Sequence, residues 1–267
     1  MLIRIGYDIV FGLPAPTPFI LMLSVHPTRF PKLRGPEVQS VEPFVPVSRY
    51  IDSFGNSCGR IVAPAGQVRF RSNAIVEDDG LPDAVDPTVK QHPLDELPPE
   101  VLRFLLASRY CEVDLLANIA AGLFSGTEPG WGRVQAILDW VHSNVTFGYQ
   151  FARATKTAAE VYNERQGVCR DFTHLAITFL RCMNIPARYA TGYLGDIGVP
   201  RSDAPMDFSA WLEVYLGGKW WTVDARHNQR RIGRVLMARG RDAVDVALTT
   251  AFGVANLQQF IVWTDEI

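Results

Sequence analysis

Gly167-Val168-Cys169-Arg170-Asp171 opens the segment that decides the fold. Beyond it Phe172, Leu175, Ala176, Phe179 and Met183 recur at the spacing of one helical face, which predicts a core-facing helix over residues 168–183. Asn184-Ile185-Pro186 ends it, because the residue before a proline is pushed out of the helical region. Cys169 therefore stands at the mouth of a helix. Exposed N–H groups and the positive end of the helix dipole favour a thiolate there, and the same first turn offers donors to an oxyanion. The ordinary alternative for such a cysteine is a small buried residue.

Downstream, strands are predicted over residues 187–193, 210–216 and 220–224. Gly217-Gly218 joins the last two as a two-residue hairpin. Together, Gly167-Val168-Cys169-Arg170-Asp171, Asn184-Ile185-Pro186-Ala187-Arg188-Tyr189, Gly192-Tyr193, Ala210-Trp211-Leu212-Glu213-Val214-Tyr215 and Trp220-Trp221-Thr222-Val223-Asp224 resemble the transglutaminase-like superfamily in order, spacing and helix–strand–hairpin context. The resemblance spans Tyr149 to Asp224. It implies a papain-like α+β core, with helices packed on an antiparallel sheet and a Cys–His–Asp triad. By the same resemblance Cys169 is the nucleophile and Asp224 the orienting carboxylate, although strand-end aspartates also cap turns.

The sequence departs from the family at one position. Ser209 stands before Ala210-Trp211, where the resemblance places the histidine. A serine hydroxyl cannot take a thiol proton at neutral pH, and loss of a general base typically costs about 10²–10⁴-fold in rate. Ser209 can instead donate a hydrogen bond to Asp224 or to a bound carbonyl, or leave room for a water. Two histidines are candidate replacements. His227 lies three residues beyond Asp224 and can curl back from the strand end, its alternative being a surface histidine in an Arg-rich loop. His174 lies on the Cys169 helix but points about 140° away from the thiol, which makes it a core or helix-face residue. Asp171 and Glu213 read as structural partners of Arg170 and Arg188. Among the aromatic residues, Tyr149, Trp211 and Tyr193 are candidates for the substrate side of a cleft, with burial in the core as the alternative for each.

Toward the N-terminus the helical period disappears. Residues 2–11, 19–25, 45–51, 60–63 and 68–76 read as short strands punctuated by Gly, Pro and Asn, which suggests a small β-sandwich. By the same resemblance it looks like the small domain that precedes the core in bacterial members of the family. Residues 77–100 hold eight acids against the single Lys90, together with five prolines, and read as a linker. The expected organisation is thus a β-rich domain over 1–90 and a transglutaminase-like core over 91–267. Helices are predicted to begin at Pro98-Pro99-Glu100 and over residues 131–145, and 260–263 suggests a final strand. Six arginines between Arg226 and Arg241 offer either an anion-binding rim or internal partners for the acidic stretch.

Composition disfavours several classes. A net charge of -2 over 267 residues gives no field for nucleic acid or an anionic membrane, and no apolar run is long enough to span one. Met1 to Val10 alternates polar and apolar residues, unlike a signal peptide, so a cytoplasmic location is expected. Four scattered cysteines and five unclustered histidines suggest free thiols and neither metal nor other cofactor. The functional expectation is a cysteine protease-like hydrolase or acyltransferase acting on a peptide, amide or small acyl substrate. The alternative is a catalytically silent binding or scaffolding module, which Ser209 favours.

Overall fold

The computed structural model describes residues 1–202 and 205–267. Six strands come first: β1 (Leu2–Leu13), β2 (Thr17–Leu21), β3 (Val38–Glu42), β4 (Ser48–Ile51), β5 (Ser57–Ala63) and β6 (Gly66–Glu77). Five helices and two short strands follow: α1 (Pro99–Leu102), α2 (Val113–Phe124), α3 (Trp131–Asn144), β7 (Thr146–Phe147), α4 (Ala158–Glu164), β8 (Gln166–Gly167) and α5 (Cys169–Cys182). The chain closes with β9 (Ala187–Tyr193), β10 (Ser209–Leu216), β11 (Lys219–Val223), β12 (Val235–Gly240), β13 (Thr249–Ala251) and β14 (Asn256–Glu266).

Two four-stranded antiparallel sheets, ordered β14-β1-β6-β3 and β13-β2-β5-β4, form the sandwich. Its interior follows strand alternation: Ile3, Ile5, Tyr7 and Ile9 of β1 meet Phe19 and Leu21 of β2 and Val68 and Phe70 of β6. The last two strands belong here. β14 pairs along nearly the whole of β1, and β13 pairs with β2. A division at residue 90 therefore omits residues that complete both sandwich sheets.

The second sheet system, ordered β11-β10-β9-β12, carries the helices. Gly217 and Gly218 turn β10 into β11 with φ of 58° and 82°, values that suit glycine, and Leu216 faces Lys219 across a two-residue loop. Helix α5 lies against β9 and β10 on one side and against α2, α3 and α4 on the other. The predicted apolar stripe is present, but residues 171–181 are buried all round. Its polar side chains are accommodated because each finds a partner inside. Thr173 and Thr178 donate to the carbonyls of Cys169 and His174, and Arg181 donates to those of Leu106, Ala187 and Arg241. A helix pinned this way fixes its first residue firmly.

The acidic linker is anchored at Asp83. Its carboxylate accepts from the Arg231 backbone and from Arg234 Nε, and its carbonyl accepts from Arg230. Internal pairing, rather than an anion rim, accounts for these arginines. Among the described residues no helix is long and apolar enough to cross a membrane.

Candidate active site

Cys169 is the first residue of α5 and is half-buried. The entry to the helix is tied down from both sides. β7 and β8 form a short parallel pair, and the Gly148 N–H donates to Gly167 O at 3.1 Å. A Cβ at Gly167 would stand 2.6 Å from Asp171 Cβ, so only glycine permits the close turn. Asp171 closes the turn by accepting from the Val168 N–H at 3.0 Å, and Arg170 pairs with it at 3.1 Å, as expected for a structural carboxylate.

Ala210 of β10 lines the same cavity as the sulfur. Burial pushes the Cys169 thiol up, and the Arg226 charge and the Ala210 N–H only partly offset this. Burial of the thiol thus works against the helix mouth at this position. A base is needed.

The strand-end carboxylate supplies the frame for one. Asp224 Oδ1 accepts the backbone N–H groups of Arg226 and His227 at 2.9 and 3.0 Å. Asp224 Oδ2 accepts from Arg234 Nη2 at 2.9 Å and lies 3.0 Å from His227 Nδ1. Burial pushes this carboxyl up, but Arg234 and His227 outweigh it and hold the group well below the usual carboxylate range. An ionised carboxylate only accepts, so the His227 proton belongs on Nδ1, leaving a lone pair on Nε2. Arg234 bridges Asp224 to Asp83. The linker thus reaches the frame through one guanidinium.

Two cavities meet at Cys169. The larger, of about 680 Å³, lies between the sandwich and the helical core, with Ile9, Phe11, Leu257 and Phe260 facing Cys169, Tyr189 and Ala210. The smaller, of about 80 Å³, is more polar and is lined by Cys169, Ser209, Tyr149, Arg226, His227 and Arg231, among others. The geometry thus brings together Cys169, Ser209, His227 and Tyr149, with Asp224 behind His227. Trp211 and Tyr193 lie elsewhere. Trp211 packs with Ala190 and Leu236 beneath the Arg234 guanidinium. Tyr193 is fully buried in the sandwich-side core against Phe208. Alternation explains both, since these large rings face into packed layers. His174 is a core histidine: its Nε2 accepts the Ala243 N–H at 3.1 Å, its ring stacks on Tyr110, and burial holds it neutral.

Two further residues join the site. Asp207 lines both cavities, and burial pushes its carboxyl up. Arg226 lines the smaller one with its guanidinium stacked 3.8 Å from the Phe147 ring. Nothing in the spacing around Asp207 marks it, and Arg226 was visible only as one member of a basic cluster. Among the described residues no group of three or more His, Cys, Asp or Glu could hold a metal ion.

Comparison with known proteins agrees with this architecture. The family model of the transglutaminase-like superfamily matches residues 117–225, the span that carries α5, the hairpin and Asp224. A crystal structure from Cytophaga hutchinsonii, described as a "putative cysteine protease", superposes with a TM-score of 0.86 at 30% identity, covering 99% of this chain and 90% of the other. This chain belongs to the transglutaminase-like superfamily. It is also 28% identical to an uncharacterized protein of Mycobacterium leprae over 214 residues, covering 74% of this chain and 73% of the relative. An uncharacterized protein of Mycobacterium tuberculosis matches at 27% over 176 residues, 62% of this chain and 52% of its own.

Proposed function

We propose that the protein is a thiol-dependent hydrolase of amide or ester bonds in which His227 replaces the imidazole missing at position 209. The observation that carries this reading is the 3.0 Å contact of His227 Nδ1 with Asp224, on a ring that shares a cavity with Cys169. Asp224 fixes the tautomer, and Nε2 takes the thiol proton as sulfur adds to the carbonyl. The open first turn of α5 offers N–H donors to the oxyanion. The small side chain of Ser209 leaves space beside the sulfur for substrate or for a water that relays the proton.

The test is turnover of a p-nitrophenyl ester and of a peptide anilide, with mass spectrometry of the trapped acyl-enzyme. An acyl adduct confined to Cys169, lost in Cys169→Ala and slow to form in His227→Gln, supports the reading. Turnover that survives Cys169→Ala overturns it. A silent scaffold is the second reading, favoured by the raised thiol. It requires that no activated ester acylates Cys169.

A further inference from the structure

We propose that this site cuts the last amide bond of an N-acylated amino acid or short peptide, seating an apolar acyl half in the large cleft and the free carboxylate of the departing residue on Arg226. The inference rests on the hydrolase reading above and adds the substrate class.

Direction comes from the proton. The imidazole that accepts the thiol proton must return it to the leaving nitrogen, so the amine half of the substrate occupies the cavity that the imidazole lines. His227 lines the smaller cavity and not the larger one. The amine half is therefore the one confined to about 80 Å³, and the acyl half has about 680 Å³.

Charge then selects the amine. Arg231, in the smaller cavity, is already engaged with Gly195 O at 2.8 Å and Asp196 at 3.8 Å. Arg226 differs. Its guanidinium rests on Phe147 and makes no ion pair among the described residues. Asp207 faces the same space beyond ion-pair distance, and its burial disfavours the charged form that would compete. A planar cation held by an aromatic face, with its donors uncommitted among the described residues, suits a carboxylate. The opposite wall has the opposite character. Ile9 and Phe11 of β1 and Leu257 and Phe260 of β14 present hydrocarbon to the cleft, and Leu257 and Phe260 are 56% and 39% exposed. Covering them with an apolar acyl group removes that surface from water.

In the reaction the Cys169 Sγ–carbonyl bond forms and the carbonyl–nitrogen bond breaks, and the amino acid leaves with the proton carried by His227. Water then adds to the thioester. Its hydroxyl completes the carboxylic acid, and its proton returns to sulfur by way of His227.

The experiment compares N-benzoyl-Phe-Gly with its C-terminal carboxamide and with N-benzoyl-Asp-Gly, reading released glycine or glycinamide, beside the p-nitrophenyl ester of N-benzoyl-Phe. One charge-assisted contact corresponds to a preference of about tenfold or more in kcat/KM for the free acid over the carboxamide. That preference should collapse toward unity in Arg226→Gln and partly persist in Arg226→Lys, and the Asp acyl group should be the poorer substrate. Ester turnover with Cys169 acylation, but equal cleavage of acid and carboxamide or cleavage of neither, overturns this inference and leaves the hydrolase reading standing. Failure of the ester to acylate Cys169 overturns the hydrolase reading, and this inference falls with it.

Discussion

His227 and Asp224 belong to the same short turn, and the ring nitrogen of one lies 3.0 Å from the carboxylate of the other. In the family pattern base and carboxylate come from separate strands. Here one turn at the end of β11 carries Asp224 and the imidazole proposed as the base, and the carboxylate also accepts the backbone N–H groups that shape that turn. His227→Gln should lower kcat/KM for amide cleavage by about 10²–10⁴-fold with little change in thermal midpoint, measured by peptide hydrolysis and calorimetry. Unaltered turnover would remove His227 from the mechanism.

Ser209 lines both cavities beside Cys169. An imidazole there stands where other family members carry theirs. Introducing Ser209→His into the His227→Gln background should recover at least about tenfold of the lost rate, since a general base contributes two to four orders of magnitude. The double variant's pH–rate profile should rise through the range in which imidazole titrates.

The thiol itself gives a third check. Burial pushes Cys169 up, and the nearby Arg226 charge pulls it partly back. Iodoacetamide labelling of Cys169 should therefore still be climbing at pH values where an ordinary thiol has levelled off. Arg226→Gln should move the curve to higher pH. A plateau near neutrality in the native protein would indicate a preformed ion pair instead.

Arg234 is a buried cation between two acids, at 2.9 Å from each. Arg234→Met leaves Asp83 and Asp224 uncompensated, a loss on the order of 3–5 kcal/mol. Chemical denaturation should show it. Asp83→Asn, which leaves the contact to Asp224 in place, should cost much less.

Acid stability should be governed by buried imidazoles as well as carboxylates. Burial lowers His26 from 6.5 to about 4 in the folded protein. The unfolded chain takes up the proton first, so the contribution is intact above the unfolded value and is lost as pH falls through that interval. The loss amounts to roughly 3 kcal/mol by linkage. His174, also held neutral, acts in the same direction. Urea midpoints should fall as the pH is lowered across this window, and His26→Gln should flatten the fall.

The framework around Cys169 was legible because it is written in local signals. The stripe from Phe172 to Met183 announced α5, and Gly217-Gly218 announced the hairpin. Other parts were not legible, for identifiable reasons. β12 lies in an Arg-rich stretch whose charges mask its strand period, and Arg234 and Arg239 pair with buried acids inside the fold. α4, seven residues long, is too short to show a helical period, and it packs on α5. Trp211 and Tyr193 suggested a cleft by their chemistry, but tertiary packing turned both inward. Asp207 gave no signal at all, because only the tertiary fold brings it to the cavities that Cys169 lines.

The pairing of β14 with β1 has a consequence for biosynthesis. Strand β1 gains one of its two neighbours only after residues 256–266 have been made. Until then the nascent chain carries a long open edge, a template for unwanted association. Chains interrupted before residue 256 should accordingly be recovered in aggregates or bound to chaperones, even though Cys169, Ser209, Asp224 and His227 have already been synthesised.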